Sequence, residues 1–280
     1  MTEVEDAATG TPRVAVLGAG VMGEAMLAGL VAAGWSPEQV AVTVRTPERA
    51  SALAERHGVS AGTSNRAAVA DADIVLLAVK PAGVVGVLEE IRPVLRGGVL
   101  VVSVAAGLPL ALYERHLPPG TPVVRVMPNT PAVIGKGVSA VAAGSAATSG
   151  HLVLVERLLA ATGLVVRVAE KDLDAVTAVS GSGPAYAFYL IDAMAEAGVL
   201  LGLTRDVATR LAVATVEGAA ALAAATGEHP AVLRERVSSP GGTTVAAVRE
   251  LDAHGVRAGI VAAAAAARDR SRELGSATAR

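Results

Sequence analysis

The run Ser238-Ser239-Pro240-Gly241-Gly242-Thr243-Thr244 combines hydroxyls with two glycines and a proline. Set between helical segments, such a run can aim backbone N–H groups and hydroxyls at one small anion. A plain helix cap needs one hydroxyl, whereas Ser239, Thr243 and Thr244 stand together here, so carboxylate binding is expected beside any helix break or cap. Far upstream, Gly18-Ala19-Gly20-Val21-Met22-Gly23 has G-x-G-x-x-G spacing. That spacing alone is weak evidence. Read with the first motif, it points to reductase chemistry on a small carboxylate.

Arg13–Leu17 is a short apolar run that reads as a buried parallel strand, and Glu24–Ala33 reads as a helix. The glycines therefore lie where a dinucleotide turn requires them. Gly18 permits the tight turn, Gly20 lets a pyrophosphate approach the backbone, and Gly23 lets the helix pack on the sheet. The amides of Val21, Met22 and Gly23 open the helix and face the phosphates. The next strand, Val40–Val44, has no Asp or Glu at its end to hold a ribose 2′-OH. Arg45, with Thr46 or Arg49, suits a 2′-phosphate instead, so NADPH is expected, with NADH used less readily. The alternative is that Arg45 is a solvated loop arginine.

Further strands are predicted at Ile74–Val79, Val99–Val104, Val123–Met127, Val138–Ala142 and Leu164–Val168, alternating with helical segments in a parallel α/β sheet. Ligands lie outside the carboxyl ends of such strands. Ala78, Val79, Lys80 and Pro81, then Ala105, Ala106 and Gly107, should line the dinucleotide crevice. Pro81 is equally suited to starting a helix. From residue 170 onward the pattern is helical: Asp172–Val179, Pro184–Leu201, Arg205–Ala225, Ala231–Val237, Thr243–His254 and Arg257–Leu274. Expected N-caps are Thr204, and Ser180 or Ser182. Ser180-Gly181-Ser182-Gly183-Pro184 reads as a helix start, with a ligand role as the alternative. Ala258–Ala267 has no charged residue, and a helix hydrophobic all round must be buried. So small a helical domain cannot bury it within one monomer, which implies a homodimer through these helices.

Composition removes several function classes. Aromatics are 2%, net charge is −2 and no basic stripe stands out, so nucleic acid is a poor candidate partner. Cysteine is absent, which excludes disulfides and thiolate chemistry. No metal-ligand cluster is visible. His57, His116, His151, His229 and His254 read as surface or helix-end residues, with no His–Asp relay. The mean hydropathy of +0.51 comes largely from alanine and valine, and no run reads as a spanning helix. The polar stretch Met1–Thr11 is not a signal peptide and is expected to be a disordered tail. A cytoplasmic protein follows, with a cofactor domain at 12–169 and a helical domain at 170–280.

With these residues in view, the chain resembles the pyrroline-5-carboxylate reductase family over nearly its whole length. The matching pieces are GAGVMGEAM at 18–26, VRTPERA at 44–50, LLAVKP at 76–81, SVAAG at 103–107, RVMPNTP at 125–131, SGSGPAYAF at 180–188 and VSSPGGTT at 237–244. The resemblance implies an N-terminal Rossmann domain followed by an all-helical C-terminal dimerisation domain. It implies NADPH-dependent reduction of (S)-1-pyrroline-5-carboxylate to L-proline in interlocked dimers, often gathered into decamers. Ser239 and the backbone of Gly242, Thr243 and Thr244 would hold the carboxylate. The Thr244 hydroxyl would be the catalytic contact to the ring nitrogen, with the loop contributed by the partner subunit. One departure is Val44, where many members have asparagine.

A cyclic imine protonates readily and then accepts hydride without a strong enzymic acid, which suits a site rich in hydroxyls. A β-hydroxyacid dehydrogenase would need a lysine in Ser180–Leu201, and there is none. A non-catalytic NADP sensor is the other alternative, although it would need no carboxylate loop.

Overall fold

A computed structural model describes residues 12–278. The tail expected at 1–11 lies outside the described residues. In chain order the strands are β1 (Val14–Leu17), β2 (Val40–Thr43), β3 (Ser60–Gly62), β4 (Ile74–Leu77), β5 (Leu100–Ser103), β6 (Val123–Pro128), β7 (Gly137–Ala143) and β8 (Gly163–Arg167). The helices between them are α1 (Val21–Ala32), α2 (Pro47–His57), α3 (Asn65–Val69), α4 (Val84–Ile91), α5 (Leu110–His116) and α6 (Ser149–Leu159). After the sheet come α7 (Leu173–Val176), α8 (Gly183–Leu200), α9 (Arg205–Thr226), α10 (Pro230–Arg236), α11 (Thr243–Ala253) and α12 (Val256–Thr278).

The eight strands form one sheet in the order β3-β2-β1-β4-β5-β6-β7-β8. Alternation along each strand sends side chains to opposite faces. Val14 and Val16 join Met26, Leu27 and Leu30 of α1 on one face. Ala15 and Leu17 join Val84, Leu88 and Ile91 of α4 on the other. Each such fully buried Leu or Val contributes roughly 1.5–3 kcal/mol.

The sheet departs from an all-parallel arrangement at one pair: β7 runs antiparallel to β6. Only the short connection 129–136, which holds the turn Thr130–Ile134 and Gly135 at φ 72°, separates them. A parallel crossover needs a dozen or more residues, so the chain must reverse. The expected caps divide as well. Thr204 caps α9, accepting from the Val207 amide. Ser182 precedes α8 but caps nothing, because the π-helical turn Thr177–Gly181 feeds into it and Ser182 already has helical backbone angles. Ser180 instead receives hydrogen bonds from Asn129.

By packing, the chain divides into two compact units, 12–181 with 268–278, and 182–267. Residues 170–181 go with the sheet, since Leu173 packs on Ala140 and Ala142. In the second unit α8 pairs with α9 around Ala195, Ala208 and Ala212. Most of its other apolar side chains face outward: Phe188 is 64% exposed, Tyr189 81% and Val261 66%. Contrary to expectation, one segment, α9, is long and apolar enough to cross a membrane by length and composition. Its alanines raise the hydropathy without bulk, which hid it beside Asp206, Arg210 and Glu217.

Candidate active site

The turn after β1 has little room to vary. Gly18 has φ 89°, and its amide donates to the Thr43 carbonyl at 3.0 Å. A Cβ there would lie 2.5 Å from Val79 Cγ1 and 2.9 Å from the Val79 amide nitrogen. A Cβ on Gly23 would lie 2.6 Å from the Gly18 carbonyl oxygen and 3.1 Å from Ala78 Cβ. Gly20 is different: nothing lies within 4 Å of the place its Cβ would take. Two glycines are tightly packed and the middle one borders open space. No side chain caps α1 behind it, so the amides of Val21, Met22 and Gly23 remain available. That is the cradle a pyrophosphate requires.

The strand ends are aligned beside this turn. Leu17 pairs with Thr43 on one side and Leu77 on the other, and Leu77 pairs with Ser103. The residues that follow, Ala78, Val79, Lys80, Pro81, Ala105, Ala106 and Gly107, therefore share one edge of the sheet. Ala105 is buried, whereas Lys80, Pro81 and Ala106 are exposed. Pro81 also opens a 3-10 turn, Pro81–Gly83. Beneath Ala105, the Ser103 hydroxyl accepts from its amide at 3.3 Å and meets the Tyr113 hydroxyl at 2.6 Å. Burial pushes the Tyr113 phenol up to about 12, against the opposing pull of Ser103 and Arg125.

Arg45 and Thr46 follow β2 and are exposed. No acidic group pairs with Arg45 among the described residues. The Thr46 hydroxyl caps α2, accepting from the Arg49 amide at 3.4 Å. The Arg49 guanidinium is not free in the same way, because it pairs with Glu24 of α1.

The hydroxyl-rich loop lies in the second unit. Gly241 has φ 69°, and the Gly242 amide donates to the Ser239 carbonyl at 2.9 Å. Within the protomer that amide closes the turn. The N-cap of α11 is Gly242, with no side-chain cap. Among the described residues, the hydroxyls of Ser239, Thr243 and Thr244 have no hydrogen-bond partner. With the first amides of α11, they form a donor set that the protomer itself does not use.

Sequence reasoning missed four arrangements. Asn129 is buried, accepts from the Val138 amide at 2.8 Å, and donates to the Ser180 carbonyl at 3.2 Å. It joins two of the motifs, and a lone amide inside apolar β6 surroundings was the available signal. Arg125 is nearly buried beside Glu170 at 3.2 Å, and Glu170 also accepts from the Leu110 amide. The Tyr186 hydroxyl is buried without a partner among the described residues. Finally, His57 lies 3.3 Å from Glu24 and His116 3.6 Å from Glu89, closer to carboxylates than expected. Both end helices, and His151 and His229 serve caps, so the histidines hold helix ends.

Residues 170–274 match the family model described as pyrroline-5-carboxylate reductase dimerisation. Residues 13–107 match the one described as NADP oxidoreductase coenzyme F420-dependent. A pyrroline-5-carboxylate reductase from Corynebacterium melassecola is 49% identical over 265 residues, covering 94% of this chain and 98% of that one. Among solved structures, a pyrroline-5-carboxylate reductase from Coxiella burnetii superposes with TM-score 0.91 at 36% identity, covering 95% and 99% of the two chains. A pyrroline carboxylate reductase from Plasmodium falciparum with NADP bound gives 0.84 at 27%, covering 95% and 98%. These likenesses run from the glycine turn through the hydroxyl loop, and the chain belongs to the pyrroline-5-carboxylate reductase family.

Proposed function

We propose that the protein reduces (S)-1-pyrroline-5-carboxylate to L-proline in the cytoplasm, with NADPH preferred over NADH. Cofactor binding is assigned to 12–169, and substrate binding with dimerisation to 170–280. The observation that carries the reading is the loop at 239–244, whose hydroxyls have no partner among the described residues, in a chain that matches a family member over 94% of its length.

The amides of Val21, Met22 and Gly23 would hold the pyrophosphate beside the open face of Gly20. Arg45 and Thr46 would meet the 2′-phosphate. The small side chains of Ala78, Ala105 and Ala106, with Gly107, leave room for the nicotinamide, while Val79, Lys80 and Pro81 edge the crevice. When bound, NADPH supplies hydride to the C=N carbon. Ser239 and the backbone of Gly242, Thr243 and Thr244 bind the substrate carboxylate. The Thr244 hydroxyl accepts from the protonated ring nitrogen and so favours the iminium, the form that takes hydride. Catalysis comes from positioning and from fixed dipoles rather than from a strong acid.

The exposed apolar faces of α8 and α9 and of α12 between Val256 and Ala267 suit a second copy of the chain, and the loop serves the partner's cofactor crevice. Larger rings such as decamers are built from these dimers, and α9 packs in that interface rather than in lipid. Product analysis tests the reaction. Incubation with pyrroline-5-carboxylate and NADPH should yield L-proline, and cofactor binding without proline would leave a sensor.

A further inference from the structure

Glu24 stands directly after Gly23, in the first turn of α1, and gathers three groups of α2. Its Oε2 accepts from Arg49 Nη2. Its Oε1 accepts from Arg56 Nη1 at 2.7 Å and lies 3.3 Å from His57 Nε2. Arg49 and Arg56 are two turns apart on one face of α2, so one carboxylate from α1 reaches both. The Glu24 side chain is 20% exposed, which makes these bonds stronger than a solvated surface pair. Burial alone would raise the Glu24 pKa, but the bonds from His57, Arg49 and Arg56 outweigh it and hold the carboxyl below its ordinary range.

Arg49 also sits one helical turn from Thr46, with its amide on the Thr46 hydroxyl. Two arginines thus flank Thr46. Arg45 has no acidic partner among the described residues, and Arg49 is neutralised. Release of Arg49 would strip Oε2 of the one bond it accepts among the described residues, so whatever Arg49 gained from a phosphate would be offset by that loss.

We propose that Glu24 is a positioning residue that sets cofactor preference through Arg49, withholding that guanidinium from the 2′-phosphate so that NADPH selectivity rests on Arg45. The proposal depends on the reading of Arg45 as the 2′-phosphate contact, and the test separates the two.

The test measures equilibrium dissociation constants for NADP+ and NAD+ by calorimetry, together with kcat/KM for NADPH and NADH. The proteins are the wild type, Glu24→Gln, Arg49→Ala, the double variant and Arg45→Ala. Glu24→Gln should raise the NADP+ over NAD+ preference about tenfold by freeing one charge-assisted donor. Arg49→Ala alone should leave the preference unchanged, and the double variant should return to the wild-type ratio. An unchanged or lowered ratio in Glu24→Gln overturns the proposal. So does a loss in Arg49→Ala as large as that in Arg45→Ala, because Arg49 would then already serve the phosphate. A wild-type ratio in Arg45→Ala rejects the Arg45 reading instead, while the comparison of Glu24→Gln with the double variant still reports on Glu24.

Discussion

Asn129 at the end of β6 donates to both the carbonyl and the hydroxyl of Ser180, at 3.2 and 3.3 Å, while its own carbonyl oxygen accepts from the Val138 amide. One amide side chain therefore joins the β6–β7 reversal to the π-helical turn before α8. Asn129→Ala removes the partner of these groups in a partly buried place. It should cost about 1–3 kcal/mol in denaturant unfolding. A variant as stable as the wild type would show that the three contacts carry no net energy.

The two kinds of glycine in the cofactor turn separate folding from binding. Gly23→Ala sets a Cβ 2.6 Å from the Gly18 carbonyl oxygen, so both stability and NADPH affinity should fall. Gly20→Ala meets nothing within 4 Å, so its melting temperature should stay near the wild-type value while NADPH affinity falls. Intact NADPH affinity in Gly20→Ala would move the pyrophosphate away from this turn.

The buried Tyr113 phenol makes the protein sensitive to alkali. Its pKa is raised from 10.0 to about 12, chiefly by burial. The folded state therefore holds this proton more firmly than the unfolded chain. The stability it contributes is fully present below pH 10 and is lost as pH rises through about 12, up to about 3 kcal/mol in all. Tyr113→Phe should flatten that alkaline limb in unfolding measured against pH. An equally steep limb in the variant would assign it to other groups.

Thr244→Ala should lower kcat by about tenfold or more, since a hydrogen bond to a charged nitrogen is lost, and leave NADPH affinity unchanged. Steady-state kinetics beside fluorescence titration of NADPH separates the two. Equal loss of both would remove the hydroxyl from the substrate site.

Much of this architecture is legible in short apolar runs. β1 and β4 are buried throughout and stand out as unbroken aliphatic segments. The edge strand β3 is Ser-Ala-Gly, pairs only with β2, and carries no such signal. The reversal at β7 is invisible in its residues, because valine and alanine say nothing of strand direction. Ser182 has the right side chain for a cap, but the turn before it removes the geometry. The glycines and hydroxyls of the candidate site could be found by type and spacing. The tie between Glu24 and Arg49 could not, because it spans two helices and depends on side-chain direction. Nor could the engagement of the Gly242 amide, which depends on how the loop closes.

The most direct measurement is the rate of NADPH oxidation on addition of pyrroline-5-carboxylate, followed by loss of near-ultraviolet absorbance with NADH in parallel. Rapid, enzyme-dependent oxidation that favours NADPH is the predicted result. Tight NADPH binding by the same preparation without turnover would contradict it and leave the hydroxyl loop without its substrate.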